Sequence, residues 1–280
     1  MTNYANNSCN CSNEKCGQDT CIEETRSSDN KEKKNVLNNI KHVIAVMSGK
    51  GGVGKSTVTA LLASSLYQKG YKVGILDADI TGPSIPKLFG IKEMPQGTEF
   101  GLLPVKSKKG IEIMSINLLL PHEDDPVIWR GPIISGVIKQ FWEEVIWGDL
   151  DFLLVDLPPG TGDAPLTVLQ SLPLKGVIIV TSPQDLANMV VRKAINMATK
   201  MNIPILGLVE NMSYIECPEC NKRIYPFGKG KIQEMSEEFK LPLLGVLPLQ
   251  LSLSLKGDEG KIEEFPVEDF LKTDLLLLQL

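Results

Sequence analysis

The 280-residue sequence is poor in histidine and has no long apolar run. Its two histidines, His42 and His122, lack the spacing of metal ligands, which argues against a histidine-rich zinc enzyme. No apolar stretch is long enough to span a bilayer, and the polar, cysteine-rich N-terminus lacks the pattern of a secretory signal. We therefore expect a cytoplasmic protein that binds no membrane.

Positive charge is also scarce, since 29 Lys and Arg face 34 Asp and Glu for a net charge of -5. Broad nucleic-acid surfaces need an excess of basic residues, so we expect no nucleic-acid partner. Hydrophobic content of 42% and charged content of 22% are ordinary for a globular protein. The length suits one large α/β domain or two small ones, and no internal repeat is visible.

Residues 49–57 read GKGGVGKST and match every fixed position of the P-loop pattern G-x-x-x-x-G-K-[ST]. Glycines let successive backbone N–H groups surround a phosphate, and the start of the following helix favours the same anion. Lys55 should reach the β- and γ-phosphates, and the Ser56 hydroxyl should bind Mg²⁺. We expect a nucleotide to be bound by Gly49, Lys50, Gly51, Gly52, Val53, Gly54, Lys55, Ser56 and Thr57.

Apolar strand-like runs alternate with helix-like segments from residue 42 onward. This alternation predicts an α/β fold with three layers, a mostly parallel central sheet flanked by helices. Strands are expected near residues 43–47, 73–76, 111–116, 152–155, 177–180, 205–209 and 243–246, and helices near 56–69, 135–145 and 186–200. Ligands of such sheets bind at the carboxyl ends of the strands, where the P-loop and the acidic motifs fall.

Two acidic motifs end predicted strands. Asp79 belongs to the sequence DAD at residues 77–79, whose carboxylates can hold Mg²⁺ through water or orient an attacking water. Asp156 ends an apolar run in the manner of a Walker B strand and should reach Mg²⁺. The loop that follows, LPPGTGD at residues 157–163, combines restricted and hinged backbone, so the Gly160 N–H is a candidate sensor of a γ-phosphate.

The six cysteines form two groups. Cys217 and Cys220 form a C-x-x-C that presents two thiolates to one metal but supplies too few ligands for zinc or a [4Fe-4S] cluster. The other four, spaced C-x-C-x4-C-x4-C near the N-terminus, could hold a second centre: Cys9, Cys11, Cys16 and Cys21. Residues 1–35 read as a flexible tail, and residues 36–280 as a P-loop ATPase domain with an inserted cysteine loop near 213–228.

A lysine directly after the first P-loop glycine is typical of the deviant Walker A class, which includes MinD, ParA and ArsA. The chain resembles, more specifically, the Mrp/ApbC/Nubp family of iron–sulfur cluster carriers and scaffolds. The motifs that carry this resemblance are GKGGVGKST, DADITGPSIP, WRGP at 129–132, LLVDLPPGTGD, ENMSY at 210–214 and CPEC at 217–220. They span most of the chain, in the family's order.

The resemblance implies an ATPase with ATP and Mg²⁺ as cofactors. It implies a homodimer in which Lys50 reaches the partner's phosphates and in which Cys217 and Cys220 of two chains share a labile [4Fe-4S] cluster. It further implies that Asp79 positions the hydrolytic water and that Asn211 and the backbone near Pro248 flank the adenine. Apo iron–sulfur proteins would be the recipients of the cluster.

Two alternatives stay open at the level of sequence. A positioning ATPase of the MinD/ParA kind has the same P-loop, although residues 265–280 carry Lys272 as their only basic residue, which suits anionic lipid poorly. A P-loop ATPase with a structural zinc ion at the cysteine pair is the other, because zinc and iron–sulfur clusters both bind thiolates.

Overall fold

The computed structural model describes residues 35–80, 82–120, 131–268 and 270–280, without the side chains of 131–135 and 185–188. The strands are β1 (Asn39–Ser48), β2 (Val73–Asp77), β3 (Gln96–Thr98), β4 (Gly101–Leu103), β5 (Val105–Lys106), β6 (Glu112–Ser115), β7 (Asp149–Asp156), β8 (Gly176–Thr181), β9 (Ile205–Glu210), β10 (Ile215–Glu216), β11 (Arg223–Ile224) and β12 (Leu243–Val246). The helices are α1 (Lys55–Gln68), α2 (Ile85–Phe89), α3 (Gly131–Glu144), α4 (Asp163–Ser171), α5 (Asp185–Lys200), α6 (Ile232–Phe239), α7 (Leu251–Asp258) and α8 (Thr273–Leu277).

The central sheet has eight strands in the order β12-β9-β8-β1-β7-β2-β6-β5. Every pairing in it is parallel except that of the edge strand β5 with β6. In the middle of the sheet, Val46 pairs with Asp156 of β7, and Asp77 of β2 also pairs with Asp156. The P-loop strand and the two acidic strands are therefore neighbours, with their carboxyl ends at one edge.

Side chains of the central strand β1 alternate between two hydrophobic cores, one on each face of the sheet. Ile44 and Val46 pack with α1, while Val43, Ala45 and Met47 pack on the opposite face with α3 and α5. Both faces are covered, which explains why the strands read as continuous apolar runs rather than as alternating ones.

The predicted three-layer α/β fold with a mostly parallel sheet is confirmed, and the predicted strands and helices lie within one or two residues of most observed bounds. The α3 helix begins earlier than expected, at Gly131. The β3–β4 hairpin and the short helices α2, α4, α6, α7 and α8 were not predicted. The four N-terminal cysteines and the tail lie outside the described residues. Among the helices described here, none is long and apolar enough to cross a membrane.

Asn38 connects the start of β1 by hydrogen bonds to the segment that leads into β7. Its side chain donates from Nδ2 to the Val145 carbonyl oxygen at 2.8 Å and accepts at Oδ1 from the N–H groups of Trp147 at 2.7 Å and Gly148 at 3.2 Å. The side chain is buried, so these three backbone groups have no ready replacement from water.

We expect Asn38→Ala to lower the free energy of unfolding by about 1–3 kcal/mol, because it leaves buried polar groups without hydrogen-bond partners. Urea denaturation of the apo protein measures the change. The control is Asn39→Ala, which removes a single exposed side-chain hydrogen bond to Asp149 and should cost no more than about 0.5 kcal/mol. Equal losses in the two variants would contradict the anchoring role of Asn38.

Candidate functional site

The turn between β1 and α1 has two positions where no side chain fits. Gly54 precedes α1 with φ of 75°, in the left-handed region that favours glycine. A Cβ on Gly54 would lie 2.2 Å from Nδ2 of Asn211, and a Cβ on Gly49 would lie 2.1 Å from Cγ1 of Val190. The neighbouring elements thus close tightly around the turn, and the turn backbone lines a cavity of about 230 Å³.

The carboxylate of Asp156 gathers three side chains from the P-loop and α1. Its Oδ2 accepts from Lys55 Nζ at 2.7 Å and from Ser56 Oγ at 2.5 Å, and its Oδ1 accepts from Thr59 Oγ1 at 2.7 Å. Asp156 is fully buried and Lys55 is only 5% exposed, so the ion pair lies in a medium where charge interactions are strong. Ser56 and Asp156 together form the oxygen donor set that Mg²⁺ prefers.

Two further carboxylates, at the end of β2, lie beside this ion pair. Asp79 Oδ2 lies 3.8 Å from Lys55 Nζ. Asp77 is fully buried and accepts hydrogen bonds from the backbone N–H groups of Asp79 and Ile85. Burial first, and then the neighbouring Asp156 charge, raise the pKa of Asp77 to about 8, against the opposing effect of Lys55. The edge of the sheet therefore concentrates negative charge around one lysine.

A second cavity, of about 270 Å³, adjoins the P-loop cavity, with which it shares Thr57 and Ser84. Its wall is largely apolar, which suits the faces of a purine base. The apolar lining residues are Leu88, Met212, Pro248, Leu249, Leu253 and Ile262. Phosphates at the P-loop and a base in this second cavity would place a nucleotide along the carboxyl edge of the sheet.

Asn211 lines the base cavity, but its side chain is engaged with the protein. It donates from Nδ2 to the Val53 carbonyl oxygen at 3.0 Å and accepts at Oδ1 from the Met212 N–H at 2.9 Å. One N–H of the amide stays available for a base, so the adenine contact expected of Asn211 stays a prediction. The observed contact shows that Asn211 also fixes the P-loop backbone. Pro248 lines the same cavity, as expected.

Lys50 and Gly160 have partners within the chain. The Lys50 ammonium donates to Oε1 of Gln184, at the start of α5, and the Gly160 N–H donates to the Ser48 carbonyl oxygen at 2.9 Å. Contact of Lys50 with a partner subunit would require it to leave Gln184. Likewise, Gly160 would have to release Ser48 before its N–H could meet a γ-phosphate. Both roles stay predictions.

The cysteine pair lies at the tip of the β10–β11 hairpin rather than in an irregular loop. The Cys217 N–H donates to the Lys222 carbonyl oxygen at 3.1 Å, and the Asn221 N–H donates to the Cys217 carbonyl oxygen at 2.9 Å, which closes the turn. Hydrogen bonds from the Glu219 and Cys220 backbone N–H groups, and then from the Cys220 side chain, lower the pKa of the Cys217 thiol. The turn thus favours the thiolate that metals bind.

A cationic and aromatic contact supports the root of this hairpin. The Arg223 guanidinium lies 4.3 Å above the buried Tyr214 ring, and Arg223 Nε lies 3.4 Å from Oε1 of Glu216. Tyr225 approaches Tyr214 with ring centroids 6.4 Å apart. These contacts hold the two strands together beneath the cysteine turn, whereas residues 218–229 are all exposed.

Among the described residues, the cysteine pair does not form a complete metal site. In the described ranges, no three or more His, Cys, Asp and Glu side chains group so that they could hold a metal ion. Two thiols per chain, one with a lowered pKa, fit a cluster whose other ligands come from elsewhere.

The contacts of three residues at this edge of the sheet were not predicted from the sequence. Thr59 lies one turn beyond Lys55 on α1, a spacing that could have indicated its contact with Asp156. Gln184 and Glu210 gave no such signal, because the contacts of Gln184 with Lys50 and of Glu210 with Gly230 join residues that are distant in the sequence. Burial raises the pKa of Glu210, against the effect of the Ser213 hydrogen bond.

A lysine and a serine of the P-loop that meet an aspartate from the adjacent parallel strand define a P-loop NTPase, here of the deviant Walker A class because of Lys50. The comparison with family models agrees. The ParA family, described as the NUBPL iron-transfer P-loop NTPase, matches residues 39–272. The chain belongs to this family.

Curated relatives carry a matching description. An iron–sulfur cluster carrier protein of Clostridium perfringens is 52% identical over 82% of this chain and 84% of its own, and one of Methanocaldococcus jannaschii is 50% identical over 80% and 78%. A nucleotide-binding protein of Archaeoglobus fulgidus, solved in complex with ADP, is 49% identical over 81% of this chain and 89% of its own, with a TM-score of 0.74. MinD of Pyrococcus horikoshii, at 21% identity and a TM-score of 0.56, shares the fold.

The lowered pKa of Cys217 predicts a measurable shift in thiol reactivity. We expect the alkylation rate of Cys217, in a chain whose other five cysteines are serine, to reach half its plateau below the ordinary thiol pKa of about 8.5. The thiolate is the reacting form, so a lower pKa moves the rate profile to lower pH. Iodoacetamide kinetics between pH 5 and pH 10 measure the profile. The control is the same chain unfolded in urea, and coincident profiles would contradict the turn's effect.

Proposed function

We propose that this chain is an ATP-dependent iron–sulfur cluster carrier. It binds ATP with Mg²⁺, hydrolyses it slowly, and holds a labile [4Fe-4S] cluster between two copies of itself for transfer to apo-proteins. The observation that carries the proposal is the Cys217–Cys220 turn, which exposes the Cys220 thiol and stabilises the half-buried Cys217 as a thiolate. That turn is rooted in Tyr214, three residues beyond the P-loop contact of Asn211.

Each side chain of the nucleotide site has one role in the proposed function. The P-loop backbone and Lys55 bind the phosphates, and for this Lys55 exchanges its contact with Asp156 for the β- and γ-phosphates. Ser56 and Asp156 hold Mg²⁺, which neutralises charge on the phosphates when bound. Asp79, within ion-pair distance of Lys55, orients the water that attacks the γ-phosphate. Asn211 and Pro248 flank the adenine.

The cargo site requires a second chain. A [4Fe-4S] cluster takes about four thiolates, and Cys217 and Cys220 provide two from each copy. The exposed hairpin allows two copies to meet at the turn, and Lys50 leaves Gln184 to reach the partner's phosphates. Exposure also gives an acceptor protein access to the cluster. Thiols that bind iron while exposed to solvent suit a reducing cytoplasm.

The domain assignment follows from the same proposal. Residues 36–280 form the ATPase domain, in which residues 213–228 are the inserted cysteine loop, and residues 1–35 form a tail. Its four cysteines form a possible second cluster site: Cys9, Cys11, Cys16 and Cys21. The iron bound by these four cysteines can be measured separately, because all four can be replaced without changing a residue of the ATPase domain.

Anaerobic reconstitution tests the cargo site. A chain whose four tail cysteines are replaced by alanine should hold about four iron and four sulfide per two chains, with a broad absorbance from thiolate ligation. Further replacement of Cys217 and Cys220 by alanine should abolish both, because no thiolates remain, while ADP binding is retained.

Each other outcome has a definite reading. Zinc without sulfide in the tail-substituted chain would overturn the carrier function and leave an ATPase with a structural metal. Iron retained after loss of Cys217 and Cys220 would move the cluster elsewhere. About eight iron per two chains of the unmodified protein would assign a second cluster to the tail.

Hydrolysis tests the role of Asp79. We expect Asp79→Asn to lower kcat for ATP by at least about 100-fold, because the amide cannot accept a proton from the attacking water. The Kd of MgADP should change by less than about threefold, or about 0.7 kcal/mol. Steady-state ATPase kinetics and calorimetric titration measure the two quantities.

A matched control is Glu93→Gln, which neutralises an exposed carboxylate away from the P-loop and should leave both values unchanged. A normal kcat in Asp79→Asn would remove the water-positioning role. A parallel loss of MgADP binding would make Asp79 a binding residue instead.

A further inference from the structure

Residues 210–214 contact both the nucleotide site and the root of the cysteine hairpin. At one end, Asn211 Nδ2 bonds the Val53 carbonyl oxygen of the P-loop at 3.0 Å. Asn211 and Met212 also line the base cavity. At the other end, Tyr214 lies beneath Arg223 of the hairpin. Only two residues separate the P-loop contact of Asn211 from the hairpin root at Tyr214, so the connection between them is short.

The Glu210 side chain contacts residues near both ends of the cysteine loop. Its Oε1 accepts from Ser213 Oγ at 2.6 Å, where the loop begins. Its Oε2 lies against Gly230, two residues after the loop ends, so closely that a Cβ on Gly230 would be 2.0 Å away. Glu210 is 3% exposed, so the carboxylate is enclosed between these two points. Glu210 takes no part in the proposed binding or hydrolysis of the nucleotide.

The opposite wall of the base cavity is bonded to the same segment. The Leu247 N–H donates to the Glu210 carbonyl oxygen at 2.8 Å, and the Ser213 N–H donates to the Leu247 carbonyl oxygen at 2.9 Å. The Leu249 N–H donates to the Tyr214 carbonyl oxygen at 2.7 Å. Leu249 lines the cavity together with Asn211 and Met212, so a base bound there would lie against both of the segments that these hydrogen bonds join.

We propose that Glu210 is a positioning residue that couples nucleotide binding to the state of the cysteine pair, by fixing both ends of the cysteine loop to the strand end beside the P-loop. The coupling deepens the proposed function, on which it rests. A nucleotide that orders residues 211–214 and 247–249 then also orders the hairpin through Glu210. Without the carboxylate the hairpin moves independently of the nucleotide pocket. Coupling of this kind is reciprocal, so a ligand on the thiols also changes nucleotide affinity.

The test measures thiol reactivity, so it does not depend on a bound cluster. The full chain is used with its four tail cysteines replaced by serine, so that N-ethylmaleimide reports on Cys217 and Cys220. We expect saturating MgADP to slow the reaction by about fivefold or more, within the usual range of coupling between sites. In Glu210→Ala and in Gly230→Ala, the ratio of rates without and with MgADP should fall to about 1.

Two variants separate positioning from general support of the fold. Glu210→Gln keeps an oxygen that accepts the Ser213 hydrogen bond and should restore most of the nucleotide effect. Glu234→Gln changes an exposed carboxylate of α6, outside the hairpin and its root, and should leave the effect intact. MgADP should bind all four variants within about threefold of the parent affinity, or about 0.7 kcal/mol.

Each contrary result has a distinct meaning. An unchanged nucleotide effect in both Glu210→Ala and Gly230→Ala would overturn the inference. A parent chain whose thiol reaction rate is the same with and without MgADP would also overturn it. Loss of MgADP affinity in Glu210→Ala would make Glu210 a structural support of the base cavity rather than a coupling residue. A parent chain that binds no MgADP would overturn the proposed function itself, whereas failure of cluster reconstitution alone would leave the coupling measurable.

Discussion

The buried carboxylate of Asp156 is the interaction on which the nucleotide site depends. It ends β7 in the middle of the sheet and receives Lys55, Ser56 and Thr59 from the start of α1. A fully buried charge is costly unless it is paired and hydrogen-bonded, and loss of one partner of such a pair typically costs about 3–5 kcal/mol. The same contacts that compensate Asp156 therefore fix where α1 begins, and with it the curvature of the P-loop.

Parallel topology explains why so much negative charge collects at this edge. Strands β2 and β7 are hydrogen-bonded neighbours in register, so Asp77 and Asp156 end side by side, and Asp79 follows two residues later. Burial first, and then the neighbouring charge of Asp156, raise the pKa of Asp77. A divalent cation held by Ser56 and Asp156 would offset part of the negative charge at this edge.

Local pattern predicted the sheet, the principal helices and the phosphate loop, because those elements follow from apolar periodicity and from glycine spacing. It did not predict the β3–β4 hairpin or α7, whose apolar content is low or evenly distributed. The family resemblance assigned Asn211 to the adenine. The contact of Asn211 with Val53 was not predicted, because it arises only when β9 packs beside the P-loop. The Glu210 contact with Gly230 was likewise not predicted, since the two residues are separated by the whole cysteine loop.

The position of the cysteine hairpin gives these contacts their significance. A thiol pair in a rigid core would hold a metal firmly and would have no reason to lie beside a nucleotide pocket. Here residues 218–229 are exposed, whereas Tyr214, at the hairpin root, is buried close to Glu210 at the end of β9. A nucleotide can alter such a loop only through its root, because free energy passes between sites through elements that both of them contact. The root is therefore where a carrier of this design would connect ATP to its cargo.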